Sequence, residues 1–310
     1  MTKLSVVIPV FNEEESIVET INRLLNLRAR LLEEVEMDFI FVNDGSVDRS
    51  LQRLRLAAEK NECLKVISFS RNFGHQIAIT AGIDNANGDY VAIIDADLQD
   101  PPELIVDMYH LALKGFDVVY GQRRSRAGET VFKRVTAAAF YRVMNYMCEI
   151  DIPNDTGDFR LMSRKVVNVF KQMRERHRFV RGMVPWLGYK SIPLEYDRVE
   201  RYAGETKYPL RKMISFAINA VLSFSSKPLT LAIRLGAAAI CAGLLGSLYM
   251  LYLKLFTNIP VPGLTAILLS IVLFGGVQIF LIGIVGGYIA RIFEEAKNRP
   301  LYVIDEYINV

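Results

Sequence analysis

Two long stretches without a charged side chain occupy the last third of the chain and limit what it can become. Leu235–Leu253 runs for 19 residues and Leu264–Ala290 for 27 with no Asp, Glu, Lys or Arg, about 28 Å and 40 Å of helix at the α-helical rise. Both are long enough to cross the hydrocarbon of a bilayer, the second with tilt. Burial as a pair of core helices is the alternative, but uninterrupted apolar length of this kind is uncommon in soluble domains. The intervening turn, Lys254 to Gly263, carries Asn258, Pro260 and Pro262, so a helical hairpin is predicted over 231–290 with spans at about 235–253 and 264–290. Arg211, Lys212, Lys227 and Arg234 precede the first span and Arg291, Lys297 and Arg299 follow the second, against Lys254 alone in the turn. That bias puts both termini in the cytoplasm, with 291–310 as a cytoplasmic tail of an integral protein of the inner membrane. The opening residues, Met1-Thr2-Lys3-Leu4-Ser5, lead into a short strand with no signal-peptide core, as expected of a domain that is not exported.

Residues 1–208 mix charged and apolar segments like a soluble domain. Strands are predicted at Leu4–Val10, Phe39–Asn43, Lys65–Ser70, Tyr90–Ile94 and Asp117–Tyr120, with helices at Glu13–Leu32, Asp48–Asn61, Gln76–Ala86 and Glu103–Lys114. Strand and helix in alternation imply right-handed βαβ units and a mostly parallel sheet. Neither Gly-x-x-x-x-Gly-Lys nor Gly-x-Gly-x-x-Gly is present, which argues against P-loop and dinucleotide chemistry. The net charge of +3 is too small to indicate a nucleic-acid partner. Cys63, Cys148 and Cys241 show no metal-ligand spacing, so they read as thiols in a reducing compartment.

Asp95 and Asp97 close the apolar strand Tyr90–Ile94 and so fall at its C-terminal end, where open α/β sheets bind ligands. A hard divalent cation wants oxygen ligands and often bridges carboxylates to substrate phosphates. A turn or helix cap is the plainer reading, since Pro101-Pro102 follow directly. Asp44 ends the second strand in the same crevice, where it can accept hydrogen bonds from a base or ribose, or else form an Asx-turn cap for the helix after Asp48.

Val6-Val7-Ile8-Pro9-Val10-Phe11-Asn12-Glu13, Val42-Asn43-Asp44-Gly45-Ser46-Val47-Asp48 and Asp95-Ala96-Asp97 resemble the nucleotide-binding strand ends and metal motif of the GT-A-fold family 2 glycosyltransferases. Arg71-Asn72-Phe73-Gly74-His75-Gln76, Asp97-Leu98-Gln99-Asp100-Pro101-Pro102 and Thr156-Gly157-Asp158-Phe159-Arg160 look like the membrane-anchored polyisoprenyl-phosphate hexosyltransferase branch, as does the hairpin. Processive members carry Gln-x-x-Arg-Trp, whereas this chain has Arg201-Tyr202-Ala203-Gly204-Glu205, which points to a single transfer. The resemblance implies a GT-A (Rossmann-like) domain over 1–208. It also implies that Pro9, Phe11, Glu13, Asp44 and Gln99 hold a nucleotide-sugar donor and that Asp97, with Asp95, holds Mg²⁺ or Mn²⁺ against its diphosphate. Lys207 and Arg201, on a loop around Gly204, are expected to add charge on the phosphates.

Asp158 is the candidate on the acceptor side, as a base, a positioning group or a sugar ligand; a structural pair with Arg160 or another cation is the alternative. His75 is a weaker choice of base, because Asn72–Gln76 reads as a turn opening a helix. The basic segment with Arg123, Arg124, Arg126, Lys133 and Arg134 suits an anionic polyprenyl phosphate at the membrane lipid surface, with Arg123 and Arg134 the expected phosphate ligands. Over 209–230, Leu210, Met213, Ile214, Ala217, Ile218 and Val221 recur at helical spacing, predicting a helix that lies in the interface or packs on a neighbouring subunit of a homo-oligomer. The combined expectation is transfer of a hexose, with UDP-glucose the favoured donor and GDP-mannose or UDP-aminoarabinose types open. A non-catalytic membrane scaffold is the reading from another class.

Overall fold

A computed structural model describes residues 1–31, 34–124, 156–197, 225–256 and 263–310. Two compact units make up the chain: one holds the N-terminal domain together with Arg299–Val310, the other holds the two long helices up to Asn298.

The first unit is organised around an eight-stranded sheet. In chain order its elements are β1 (Thr2–Val10), α1 (Ile17–Leu31), β2 (Val35–Asn43), α2 (Ser50–Ala58), β3 (Leu64–Phe69), α3 (His75–Asn85), β4 (Tyr90–Ile93), α4 (Leu104–Leu113), β5 (Val118–Arg123), β6 (Thr156–Ser163), α5 (Arg164–Phe170), α6 (Val180–Trp186), β7 (Ser191–Tyr196) and, after the helical unit, β8 (Ile304–Ile308). The sheet order is β7-β5-β6-β4-β1-β2-β3-β8. β4, β1, β2 and β3 run parallel, while β6 is antiparallel to both β4 and β5 and β8 is antiparallel to β3. The expected α/β, mostly parallel GT-A-like sheet is therefore present, and the nine elements read from residues 4–120 all occur within a few residues of their predicted bounds.

The run Leu4–Val10 is apolar on both faces because both faces of β1 are covered. Leu4, Val6 and Ile8 join Phe39, Phe41 and Ala92 in a core closed by Leu24 of α1, Leu54 of α2 and Met108 of α4. On the other face, Val7 meets α3 so closely that a Cβ on Gly82 would lie 2.1 Å from its Cγ1. The C-terminal residues, expected as a tail, contain an eighth strand: Ser70 N–H donates to the Val303 carbonyl at 3.1 Å, and the Asn309 amide donates to the carbonyls of Ala58 and Leu64 at 2.8 and 3.0 Å.

In the second unit, α7 (Lys227–Phe256) and α8 (Gly263–Ala296) are 30 and 34 residues long, and both are long and apolar enough to cross a membrane. Their large apolar side chains point outward, with Leu248 63%, Val272 73% and Ile279 73% exposed, so these are not core helices of a soluble domain. Tyr288 of α8 donates its hydroxyl to the Ser225 carbonyl at 2.7 Å, tying α8 to the entry of α7. The predicted interfacial helix, 209–230, falls mostly outside the described residues.

Candidate functional site

The C-terminal ends of the parallel strands converge on one open cleft of about 250 Å³, lined by Pro9, Phe11, Glu13, Asp44, Asp95 and Asp97 together with Asn72, Gly74 and His75. Six of the residues singled out in the sequence thus share one wall system. The polar residues around them explain why the loops hold. Asn12 N–H donates to Ser46 Oγ at 3.0 Å and Val47 N–H to Asn12 Oδ1 at 2.9 Å. Glu13 N–H donates to Ser50 Oγ at 2.9 Å, and Glu14 N–H to Asp48 Oδ2 at 3.1 Å. The loops after β1 and β2 are therefore stitched to each other through Asn12, Ser46 and Asp48 of the sequence motifs and through Ser50 just beyond them. Gly45, with φ +66°, packs on the loop after β3, where a Cβ would fall 2.5 Å from the Arg71 carbonyl carbon; only glycine fits both the left-handed backbone and the gap.

Asp44 lines the cleft and is not the cap of α2. Its Oδ1 accepts the N–H of Phe73 at 2.7 Å and its Oδ2 that of Gly74 at 3.0 Å, so it also anchors the Arg71–Gly74 wall. The turn before α2 is held by Asp48, whose Oδ1 accepts from Ser50 N–H at 2.9 Å. Burial pushes the Asp44 carboxyl up, against those two amide bonds, which favour its ionised form.

Thr20 of α1 donates to the Ala96 carbonyl at 2.9 Å and so fixes the Asp95–Asp97 turn. Asp97 Oδ1 accepts from the N–H of Gln99 at 3.1 Å, and Leu98 between them has φ +59°, a conformation that branched side chains rarely hold away from functional loops. Gln99 is thus in the turn itself and outside the cleft lining. Asp95 Oδ1 is shut from solvent and, among the described residues, receives no hydrogen bond; the nearest cationic atom is His75 Nε2 at 3.5 Å. Burial, with Asp158, Asp100 and Asp97 adding repulsion, pushes Asp95 up to about 6 despite His75. An unpartnered carboxylate oxygen in a cluster of acids is what a hard cation would relieve. Among the described residues no three His, Cys, Asp or Glu side chains form a complete metal cage.

Asp158, on β6 and 1% exposed, stands behind this cleft. Of the cations allowed for a structural pair, Arg160 is not the one that meets its carboxylate: the Arg160 guanidinium donates to the carbonyls of Gly157, Asp158 and Val180 at 3.0 to 3.3 Å. The carboxylate is instead clasped by Arg181 of α6, Nε to Oδ1 and Nη2 to Oδ2, both 3.0 Å. Gln76 Nε2 donates to Oδ2 at 3.3 Å, and His75 Nε2 lies at the same distance. Burial alone would raise Asp158, but the Arg181 charge and the His75 bond hold it far below the carboxylate range. His75 opens α3, as the turn reading expected, yet its ring also joins Asp158 to Asp95. Partial burial works against its charge, and the Asp158 hydrogen bond with the Asp95 charge outweighs it, giving about 9.

Arg181 carried no sequence signal, because it sits in a short helix remote from every motif. Arg123 lies at the end of β5 with its Nε 3.4 Å from the Tyr196 hydroxyl and Nη2 3.7 Å from Asp100 Oδ1, while Tyr196 donates to Asp100. Arg134, Arg201 and Lys207 lie outside the described residues.

Residues 5–170 match the model of glycosyl transferase family 2. Uncharacterized glycosyltransferase YkcC of Bacillus subtilis is 49% identical over 97% of this chain and 93% of its own length. The SfII prophage-derived bactoprenol glucosyl transferase of Shigella flexneri is 38% identical, covering 97% of each. Among solved structures, glucosyl-3-phosphoglycerate synthase from Mycobacterium tuberculosis, in complex with Mn²⁺, uridine diphosphate and phosphoglyceric acid, matches with a TM-score of 0.46 and 18% identity over 71% of this chain and 76% of that one.

Proposed function

The chain belongs to glycosyl transferase family 2, and we propose that it moves a single hexose from a nucleotide sugar, UDP-glucose in the first place, to a polyprenyl phosphate in the membrane. The observation that carries this reading is the charge of the cleft. Glu13, Asp44, Asp95 and Asp97 line it together, and Asp95 Oδ1 accepts no hydrogen bond among the described residues. Acids gathered at this density repel a diphosphate, and a divalent cation between them would relieve that repulsion. Asp95 and Asp97 are the residues that would hold Mg²⁺ or Mn²⁺. When bound, that ion supplies positive charge to the nucleoside diphosphate as the glycosidic bond breaks, more in the transition state than before it.

The chain's own groups supply the rest. Phe11, 46% exposed, offers a ring face to the base, and the Asp44-anchored Arg71–Gly74 loop walls the nucleoside. His75 presents a ring that is nearly half exposed between Asp95 and Asp158. Strong base catalysis is not required, because a phosphate acceptor is largely ionised near neutral pH, its second pKa being about 6 by analogy with phosphorylated side chains. Asp158, engaged by Arg181, His75 and Gln76, accordingly serves as a positioning anion. Glucose as the sugar and bactoprenol as the acceptor are supported by the 38% identical relative that bears those names.

Membrane anchoring by α7 and α8 fits a lipid acceptor that cannot leave the bilayer. β8 follows α8 yet pairs with β3 in the same sheet as β1, so an even number of crossings is needed; two spans with a cytoplasmic catalytic domain and cytoplasmic C-terminus meet that condition. The Asp97→Asn variant tests the reading: transfer should disappear while membrane insertion is retained. Normal turnover in that variant would reject the cation site.

A further inference from the structure

The geometry points to Arg181 as a positioning residue for the cation end of the donor site, acting through Asp158 and His75 on Asp95. It rests on the proposed glycosyl transfer and adds a residue that lines no part of the donor cleft. The chain of contacts is continuous. Arg181 grips both oxygens of Asp158 at 3.0 Å, Asp158 Oδ2 is 3.3 Å from His75 Nε2, and the same nitrogen is 3.5 Å from Asp95 Oδ1. Each link has one side chain buried or shut from water at the contact, so the distances are set by packing and not by solvent.

Two features show that Arg181 is itself held in place. Val180 N–H, at the start of α6, donates to Gln76 Oε1 at 2.8 Å, and the Val180 carbonyl accepts from Arg160 at 3.3 Å. Gln76 uses its other end on Asp158. The start of α6 is thus pinned to α3 and β6 by the residues that surround Asp158. A planar guanidinium meeting a carboxylate with two parallel N–H bonds fixes the carboxylate plane as well as its charge. Were Arg181 absent, the Asp158 carboxylate would be free to turn towards His75 and Gln76, and the ring would lose the fixed anion that balances its contact with Asp95. Outer residues that orient a metal ligand in this way are worth about 10- to 100-fold in metal affinity or activity.

The test uses full-length protein in detergent and the variants Arg181→Ala and Arg181→Lys, with Mn²⁺ affinity read by electron paramagnetic resonance alongside transfer kinetics. Arg181→Ala should weaken Mn²⁺ binding and lower kcat by about 10- to 100-fold, with the KM for donor little changed. Guanidinium ion in the buffer should restore part of both, since the Arg181 side chain is one-third exposed and its place is open to a small cation. Arg181→Lys, which keeps the charge and loses the two-pronged contact, should fall between and keeps the test alive if the alanine variant does not fold. Mn²⁺ affinity unchanged in both variants, or a loss that guanidinium leaves untouched and that tracks a lower melting temperature, would overturn the inference. Absence of lipid-linked hexose from the wild-type protein would count against the proposed function instead, and the Mn²⁺ measurement would still decide the role of Arg181.

Discussion

Gly82→Ala is the sharpest test of how packing reaches the site. The added Cβ would lie 2.1 Å from Val7 Cγ1 and 3.1 Å from Cγ2, about 1.3 Å inside the 3.4 Å at which ordinary contact begins. Val7 is fully buried in β1 and its branched side chain is stiff about χ1, so α3 must lift from the sheet. Overpacking of this kind costs about 1–3 kcal/mol, and each kcal/mol lowers the melting temperature by about 2–4 °C in a domain of this size. His75 opens α3 seven residues earlier, about 10 Å along the helix, so a lifted helix also shifts the ring that bridges Asp95 and Asp158. Thermal unfolding in detergent and transfer rate should fall together. Val7→Ala alone should destabilise, through about 0.8 kcal/mol of lost burial per methyl group, yet the double variant should be more stable than the sum of the two losses. An unchanged melting temperature in Gly82→Ala, or losses that merely add, would refute the reasoning.

Other perturbations bear on separate parts of the account. Asp44→Ala leaves the half-buried amides of Phe73 and Gly74 without this acceptor, at about 1 kcal/mol each; calorimetric titration should show weaker nucleotide binding, and wild-type affinity would dismiss the anchor. In EDTA, stability should decline as pH rises. The fold favours the protonated form of His75, whose contribution is whole below about 6.5 and fades as pH passes about 9. Asp95 acts in the same direction, its contribution present below 3.8 and lost through about 6. Asp158 stays ionised over this range and adds no slope, so a melting temperature that climbs between pH 6 and 9 would contradict the cluster as drawn. Ending the chain at Asn298 removes β8, the Arg55–Glu306 ion pair at 2.5 Å and the Tyr302 ring stacked on Phe69 at 5.2 Å. The bared edge of β3 should then lower stability and promote association, visible as aggregation in size-exclusion profiles; monodisperse protein with wild-type melting would show that β8 is dispensable.

Much of this was legible along the chain because the parallel strands are buried on both faces and therefore read as apolar runs, with their polar ends marking the crevice. β6 was not legible. It buries Asp158 and Arg160, charges that are tolerated because α3 and α6 bring partners from 20 to 83 residues away. α6 is seven residues long with Pro185 inside it, and β8 is five residues placed beyond the hairpin; neither has the length for periodicity to show. The role of Asp44 as an anchor likewise depends on amides in the loop after β3, which no local pattern reveals. The two long helices were the opposite case, since length and lack of charge alone define them.

The central claim is most directly tested by supplying purified full-length protein with radiolabelled UDP-glucose and undecaprenyl phosphate, with Mg²⁺ or Mn²⁺ and with EDTA, alongside GDP-mannose and UDP-GlcNAc as rival donors. Label should appear in the lipid phase from UDP-glucose and be abolished by EDTA. Label that persists in EDTA, or no lipid-linked label from any donor with folded protein and a working control enzyme, would contradict it.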